Sequence, residues 1–327
     1  MEEKIGWGIL GLGKIAHSFA RDLQLVKGGE LVAVASRSQD KADAFRKEFP
    51  SKYAFGSYDE LFNCDAVSVI YIATPHPTHA ALSIQAMEKG KHVLCEKPMG
   101  VNSGEVEAMI ASSRKNGVFL MEALWSRFNP SIRKVKALLD SGVIGDLKYL
   151  YATFGFYALD RDPEGRLLNP ALAGGSLLDI GIYPTFLAYF MLGVPERISS
   201  TSKVLTNGVD IQSAMIFDYP GSQALLYSGL SAQTEMRAEL AGTQGTIYLN
   251  PRWHETQSYT IEQDGNSETV ELPTLGKGYS HEIQEVHECL RKGVGESSKW
   301  SLRNSLDLIG LLDKVRKQNS LTFPFEE

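Results

Sequence analysis

Residues 5–16, IGWGILGLGKIA, decide the fold of the first part of the chain. The short apolar run Ile5–Leu10 predicts a buried strand, and it ends in the glycine-rich turn GLG at residues 11–13. Apolar residues then recur at helical spacing, at Ile15, Phe19, Leu23 and Val26. A strand that passes through a tight glycine turn into a helix is the first half of a β-α-β unit.

The same alternation of strand and helix continues to about residue 121. Apolar runs predict strands at residues 31–35, 66–72, 92–95 and 118–121. Helical patterns lie between them; Ser38 suits an N-cap, and Asn102 with Glu105 resembles a capping box. Uninterrupted strands that alternate with amphipathic helices indicate a parallel sheet covered on both faces. We therefore predict a doubly wound α/β domain over residues 1–122.

The pattern changes near Trp125. Pro130 suits the first turn of a helix that Gly142 ends. Strand candidates joined by turns follow, at residues 147–156, 198–204, 209–219, 223–230, 237–241, 246–249, 258–263 and 268–272. The last two form a predicted hairpin across residues 264–266, and helices at 280–291 and 301–318 finish the chain. We assign residues 123–327 to an α+β domain with an open, mostly antiparallel sheet.

Residues 157–175 contain two prolines and show no helical or strand periodicity. A loop of this length in a compact protein is often a lid or a binding loop.

Composition excludes several classes of protein. With 43% hydrophobic and 22% charged residues, the chain is globular rather than disordered. A net charge of −6 argues against a nucleic-acid partner. We see no run of about 20 apolar residues for a membrane span, and no signal peptide. Cys64, Cys95 and Cys289 are too dispersed for a disulfide framework or a metal site, so we expect a reducing cytoplasm.

The turn at Gly11 and Gly13, with Lys14 and Ile15 after it, suits a dinucleotide-binding loop. Backbone N–H groups at a helix N-terminus bind a pyrophosphate, and glycines let it approach closely. Ala16 replaces the third glycine and is small enough for helix–strand packing. A tight turn also uses glycine without any ligand, but the position on the first strand favours binding.

The end of the second strand distinguishes two cofactors. An NAD site places an acidic residue there to hold the ribose 2′-hydroxyl. This chain has Ser36 and Arg37, followed by Lys41, which suit a 2′-phosphate. We therefore expect NADP(H) in preference to NAD(H). The alternative is that Ser38 caps a helix beside ordinary surface cations.

Two further strand ends carry polar residues where open α/β sheets bind ligands. Thr74, His76 and His79 follow one strand; His76 is the stronger candidate, since His79 equally suits a helix start. Glu96 and Lys97 follow the next strand. A lysine there can hydrogen-bond a substrate oxygen or lower the pKa of a neighbouring acid.

In the second domain the stretch GGSLLDIGIYP, residues 174–184, precedes an apolar helix. If it is helical, Asp179 and Tyr183 share a face. A nearby ammonium such as that of Lys97 favours the phenolate, so Tyr183 can act as the acid/base. Alternatively, Asp179 complements a helix dipole and Tyr183 packs in an interface; Gly181 and Pro184 weaken the shared-face argument.

These motifs resemble the glucose–fructose oxidoreductase / inositol dehydrogenase / MocA family over essentially the whole chain. The matching segments are GLG at 11–13, TP at 74–75, GKHV at 90–93, EKP at 96–98, and residues 174–181. Most members have a histidine where this chain has Tyr183. That departure, with MEALWSRFNP at 121–130, is similar to the subgroup of dimeric dihydrodiol dehydrogenases and NADP-linked D-xylose dehydrogenases.

The resemblance implies NADP(H), hydride transfer at a secondary alcohol or sugar carbon, and Lys97, Asp179 and Tyr183 as the catalytic group. We add Arg127, in the subgroup's stretch, to the candidate cofactor-binding residues. Weaker candidates for the pocket wall are Trp125, Phe156 and Tyr157, for which core packing is the alternative. A small molecule is the expected substrate: a sugar, a cyclic diol or a related compound.

A non-catalytic NADP-binding regulator is the alternative function. The presence of Lys97, Asp179 and Tyr183 together argues against it.

The resemblance also implies a dimer or tetramer built through the open sheet. In residues 209–230, apolar side chains occur at both sets of alternating strand positions. Ala214 and Ile216 belong to one set, and Met215 and Phe217 belong to the other. A second apolar sheet face needs a cover, so we expect a homodimer through these strands.

Overall fold

The structure, a computed structural model, describes residues 4–326, which divide into two compact units. The first unit contains the chain up to Trp125 together with Leu275–Leu306. The second contains Ser126–Thr274 together with the chain from Asp307. The predicted division at residue 122 differs from this one, because it placed everything after that residue in one contiguous domain.

Buried hydrogen bonds hold Leu275–Leu306 in the first unit. Asp22 accepts from three backbone N–H groups at the start of a helix, those of Lys277, Gly278 and Ser280. Trp7 Nε1 donates to His287 Nε2 at 2.9 Å. Apolar spacing shows that a helix buries one face but not which partner covers it, so the sequence pattern did not reveal this return.

The first unit is built on a parallel sheet, as predicted, and this sheet has six strands. The strands are β1 (Ile5–Leu10), β2 (Gly29–Ala35), β3 (Tyr53–Phe55), β4 (Val69–Ile72), β5 (His92–Glu96) and β6 (Leu120–Ala123). Their order is β3-β2-β1-β4-β5-β6, so the winding reverses between β1 and β4, where such sheets bind ligands. β3, with three residues, is too short to show a periodic pattern and was not predicted.

Two helices of the first unit begin at the side-chain caps that the sequence indicated. The helices of this unit are α1 (Lys14–Leu23), α2 (Gln39–Glu48), α3 (Tyr58–Phe62), α4 (His79–Glu88) and α5 (Ser103–Asn116), numbered along the chain, and later α8 (Tyr279–Lys292). Ser38 Oγ accepts from Lys41 N at the start of α2, and Asn102 Oδ1 from Glu105 N at the start of α5. The Glu105 carboxylate accepts from Val101 N, one residue earlier than in a standard capping box.

The second unit is built on an eight-stranded sheet. The strands are β7 (Leu147–Gly155), β8 (Arg197–Val204), β9 (Asp210–Tyr219), β10 (Ser222–Gly229), β11 (Ala238–Gly242), β12 (Thr246–Leu249), β13 (Ser258–Gln263) and β14 (Asn266–Glu271). Their order is β14-β13-β12-β11-β7-β10-β9-β8, and only the β7–β10 pair is parallel, which confirms the mostly antiparallel prediction. Asp264 and Gly265, both at positive φ, form the β13–β14 turn alone, so Asn266 belongs to the strand.

The two faces of this sheet differ. Met215 and Phe217 are buried on the face where α7 (Ile182–Leu192) packs, whereas Ile216 on the other face is 43% exposed. The remaining helices are α6 (Pro130–Asp140) and α9 (Leu302–Gln318), the latter continuing from the first unit into the second. Residues 157–175 form the predicted loop, with one 3₁₀ turn at Pro170–Leu172.

The segment Pro170–Leu192 is long and apolar enough to cross a membrane, with a mean hydropathy of 1.3. However, 83% of the window that meets this criterion is buried inside the protein, as is usual for a core helix. Counting uninterrupted apolar residues missed this segment, because glycine, serine, threonine and aspartate interrupt the run.

Candidate active site

The two glycines of the turn after β1 serve different purposes. Gly11 has φ +88°, and a Cβ on it would lie 2.8 Å from Ala73 O, so the fold itself requires glycine there. Gly13 is the N-cap residue of α1, and a Cβ on it would meet no atom within 4 Å. The open space therefore lies at a helix N-terminus with unbonded N–H groups, where a pyrophosphate fits. Lys14 and Ile15 are exposed beside it, and Ala16 is fully buried.

The residues that follow β2 form a helix cap and also leave two cations exposed. Ser38 does cap α2, and the exposed Arg37 and Lys41 flank it. Ser36 is half-buried, and its Oγ accepts from Ser38 N at 3.3 Å. Burial raises the pKa of Tyr58, while a hydrogen bond from the Arg37 guanidinium acts against that rise, so Arg37 lies beside the Tyr58 hydroxyl.

His79 connects two loops at the carboxyl ends of β4 and β5. Its ring is fully buried, with Nδ1 2.8 Å from Pro98 O and Nε2 2.8 Å from Thr74 O. Burial lowers the pKa of His79 and the Lys97 charge lowers it further, while the hydrogen bonds to the Pro98 and Thr74 carbonyls act against that fall. His79 therefore positions these loops. His76 lies in a 3₁₀ turn and is 9% exposed, with its ring centroid 5.7 Å from that of His79.

A buried phenol and carboxylate hold the backbone at Lys97. Tyr71 donates to Glu96 Oε1, and Lys97 N donates to Glu96 Oε2 at 3.2 Å. Tyr71 in turn stacks on Phe19, with ring centroids 3.7 Å apart. Glu96 thus supports the backbone at Lys97, which directly follows β5 and is half-buried.

The predicted residues near 125 fall in different surroundings. Trp125 is 6% exposed and stacks on Tyr279 of α8, with centroids 4.9 Å apart. Arg127 belongs to the second unit, where its guanidinium lies 4.3 Å from the centre of the Phe190 ring on α7.

In the second unit, Asp179 and Tyr183 lie on the helical stretch that the sequence argument required. A π-turn, Leu177–Gly181, carries Asp179 and leads directly into α7, whose second residue is Tyr183. Pro184 has no N–H to donate to the carbonyl four residues earlier, which interrupts the regular α-helical ladder there. Both residues are about 5% exposed, and π-turns occur frequently at functional sites.

The long loop brings a cation to Asp179. Arg166 Nη1 donates to Asp179 Oδ1 at 2.5 Å, with the Arg166 side chain 57% exposed and that of Asp179 7% exposed. An adjacent guanidinium favours the charged form of a carboxylate. The sequence did not identify Arg166, because side-chain direction in an irregular loop leaves no periodic signal.

Two aromatic rings that the sequence analysis missed lie against Tyr183. The ring centroids of Phe154, on β7, and His254 lie 5.3 Å and 5.4 Å from the centroid of the Tyr183 ring. The Phe154 and His254 rings stack on each other, with centroids 4.2 Å apart. Of the predicted wall residues, Phe156 instead lies under Arg161, and Tyr157 is 53% exposed. Phe154 has the strand parity of Phe156, which is the one signal that could have found it.

The structure thus groups Lys97 with Glu96 and His79 in the first unit, and Asp179 and Tyr183 with Arg166 in the second. Within residues 4–326, no cluster of three or more His, Cys, Asp or Glu side chains is arranged to hold a metal ion.

Two family models match the chain. One, described as an oxidoreductase family with an NAD-binding Rossmann fold, matches residues 5–124. The other, the GFO/IDH/MocA C-terminal domain, matches residues 132–248.

Relatives match over nearly the full length. The trans-1,2-dihydrobenzene-1,2-diol dehydrogenase of Mus musculus is 38% identical, over 97% of this chain and 98% of that protein. The protein of the same name from Homo sapiens is 37% identical, with the same coverage.

Solved structures agree. An aldose-aldose oxidoreductase from Caulobacter crescentus, complexed with glycerol, matches with a TM-score of 0.89 and 26% identity. A 3-ketoreductase from Actinomadura kijaniata, in complex with NADP and TDP-benzene, matches with a TM-score of 0.88 and 26% identity. Both alignments cover 97% of this chain and 98% of the other. This chain belongs to the GFO/IDH/MocA family of oxidoreductases.

Proposed function

We propose that this protein is an NADP-dependent oxidoreductase acting on a secondary alcohol or carbonyl of a sugar, cyclic diol or related small molecule. The observation that carries the proposal is the setting of Tyr183. It is a buried phenol just after a π-turn whose Asp179 is ion-paired, and two aromatic rings lie against it. Buried ionisable groups of this kind are typical of sites for proton transfer.

We propose that the first unit holds the cofactor. The turn at Gly11 and Gly13, with the exposed Lys14 and Ile15, would bind the pyrophosphate, and the open space at Gly13 supports this. Ser36, Arg37 and Lys41 would hold the 2′-phosphate. The residues proposed for the nicotinamide side are Thr74, His76, Lys97 and Arg127, while His79 and Glu96 hold the backbone of their loops. The 3-ketoreductase complex with NADP supports NADP over NAD.

The nicotinamide, when bound, supplies the hydride acceptor for oxidation. The Tyr183 phenolate accepts the proton of the substrate hydroxyl while the carbinol carbon loses its hydride, so the products are the carbonyl and the neutral phenol. Lys97 favours the phenolate and orients the substrate oxygen. Asp179 positions the substrate or Lys97, and Arg166 holds the Asp179 carboxylate in an ion pair.

The wall beside Tyr183 indicates the substrate's shape. Phe154 and His254 form a flat surface of stacked rings. Such a surface suits a cyclic substrate with one apolar face and hydroxyls at its edge, such as a cyclic diol or a pyranose.

A substrate panel tests the proposal. We expect NADP(H)-linked turnover with at least one aldose, cyclic diol or dicarbonyl, followed by absorbance of the reduced nicotinamide. A Lys97→Met variant should bind NADP(H) but lose turnover by about 10²-fold or more. Tight NADP(H) binding by the unmodified protein without turnover on any compound would favour the non-catalytic regulator.

We also propose a homodimer, or a tetramer built from it, through the open sheet. Tyr151, Leu225 and Ile216 pair across β7, β10 and β9 and so share the outer face, where Tyr151 is 37% and Ile216 43% exposed. Exposed apolar residues grouped on one face are typical of an interface.

Light scattering at micromolar concentration should give at least twice the chain mass of 36.0 kDa. Ile216→Lys should shift the mass to that of one chain, because it buries an unpaired charge in the interface. Val294→Lys, at an equally exposed valine of the first unit, is the matched control and should not change the mass. A single-chain mass for the unmodified protein would contradict the proposal.

We propose a cytoplasmic location. Cys64, Cys95 and Cys289 are free thiols, and Cys95 and Cys289 are buried. Free cysteines without a disulfide framework fit a reducing compartment.

A further inference from the structure

A buried carboxylate that the proposed mechanism does not use supports the π-turn of the second unit. Asp210, the first residue of β9, is 6% exposed. Its Oδ2 accepts three hydrogen bonds, from Ser176 Oγ at 2.7 Å, Leu177 N at 2.8 Å and Ser213 Oγ at 3.1 Å. Ser176 and Leu177 are the residues at which the π-turn begins.

The glycines around this turn are explained by the same contacts. Gly175 has φ +137°, and a Cβ on it would overlap Asp210 Oδ1. A Cβ on Gly181 would lie 2.8 Å from Ser228 Oγ, which itself is 3.1 Å from Ser176 Oγ. Both ends of the π-turn therefore approach a polar floor formed by Asp210 and Ser228 more closely than any residue with a side chain could.

We propose that Asp210 is a positioning residue of the active site, whose carboxylate fixes the start of the π-turn and thereby places Asp179 and Tyr183. The inference rests on the proposed function for its kinetic consequences. A one-residue shift at Leu177 would rotate both catalytic side chains about the helix axis, and the bond from Leu177 N to Asp210 opposes that shift.

The buried charge of Asp210 lowers the stability of the fold at neutral pH. Burial raises the pKa of Asp210 to about 6, while the hydrogen bonds from Ser176, Leu177 and Ser213 act against that rise. Because the folded pKa exceeds the unfolded value, the contribution to stability is full below the unfolded pKa and is lost as pH rises through about 6. Above that pH the charged form therefore costs stability.

The groups that contact the carboxyl do not themselves titrate near neutral pH. From the π-turn and from β9 they are hydroxyl and backbone N–H groups, and Ser228 of β10 reaches it through Ser176. Asp179, further along the turn, is ion-paired to Arg166. Charge-assisted hydrogen bonds are about twice as strong as neutral ones, so ionised Asp210 holds the turn more firmly than protonated Asp210 does.

Asp210→Asn tests the proposal, because the amide oxygen can accept from the same three donors without the charge. At pH 8 we expect kcat to fall about tenfold with KM changed less than about twofold, and Tm to be equal or higher. The ratio of the wild-type kcat to the variant's should fall toward one by pH 5, as Asp210 protonates. Amide hydrogen exchange at residues 177–183 should be about tenfold faster in the variant at pH 8.

Asp218→Asn is the matched control, since Asp218 lies on the same strand but pairs with Arg197 at the surface. It should change neither kcat nor the exchange of residues 177–183. Unchanged exchange in Asp210→Asn overturns the proposal, as does a fall in kcat that accompanies a fall in Tm and is independent of pH. If the wild-type protein turns over no compound of the panel, the proposed function fails, and the exchange measurement still decides whether Asp210 holds the turn.

Discussion

Replacing Tyr183 by phenylalanine should lower kcat by about 10²–10⁴-fold, the range typical for loss of a general acid–base group. The phenyl ring keeps the contacts with Phe154 and His254, so only the hydroxyl that carries the proton is lost. KM should change little, because the apolar wall beside the substrate stays in place. Steady-state kinetics on the best compound of the panel measures both constants.

Tyr189→Phe is the matched control for this variant. Tyr189 lies on the same helix, and its hydroxyl donates to Asp307 Oδ2 at 3.0 Å. Its loss should lower the free energy of unfolding by about 1 kcal/mol and leave kcat within about twofold. A Tyr183→Phe enzyme that also kept its turnover within about twofold would show that another group transfers the proton.

The double substitution Ser36→Asp and Arg37→Ile should reverse the cofactor preference from NADP to NAD. Charge-assisted hydrogen bonds to the 2′-phosphate contribute ~1.5–3 kcal/mol each, so the wild-type protein should prefer NADP by about tenfold or more. The new carboxylate repels the phosphate and accepts from the free 2′-hydroxyl of NAD. Dissociation constants for both cofactors, from titration calorimetry on the two proteins, give the ranking.

Arg46→Ile is the control for general loss of a cation, since Arg46 is exposed on α2 and pairs with Asp43. It should leave the ranking unchanged. The loss of Arg37 should also raise the pKa of Tyr58, because the guanidinium now lowers it, and an ultraviolet titration detects that change. Equal affinities of the wild-type protein for the two cofactors, or an unaltered ranking in the double variant, would contradict the prediction. The residues after β2 would then serve only to cap α2 at Ser38.

The architecture of both units followed from periodicity, since strands such as β1 and β9 are long enough for apolar spacing to show. Ser38 and Asn102 marked helix starts correctly because capping depends on local hydrogen bonds. β3 was missed because three residues carry no period. The return of Leu275–Leu306 to the first unit was missed because it depends on partners such as Asp22, more than 250 positions away.

The positions of the candidate site residues were predictable where a strand or helix end determines them, as at Gly13 and Lys97. They were not predictable where tertiary contacts decide. Arg166 lies in an irregular loop, and His254 lies in a 3₁₀ turn between strands, where neither period applies. Asp210 looked like an ordinary strand residue, and only the fold brings it to Ser176.

The return of Leu275–Leu306 also has a consequence during protein synthesis. Trp7 and Asp22 are made early, yet their partners on and beside α8 emerge from the ribosome only after about 150 further residues beyond Trp125. At cellular elongation rates that interval lasts roughly 8–30 s. Throughout it the nascent first unit exposes the apolar surface that α8 later covers, which makes this stage the one most open to chaperone binding and to aggregation.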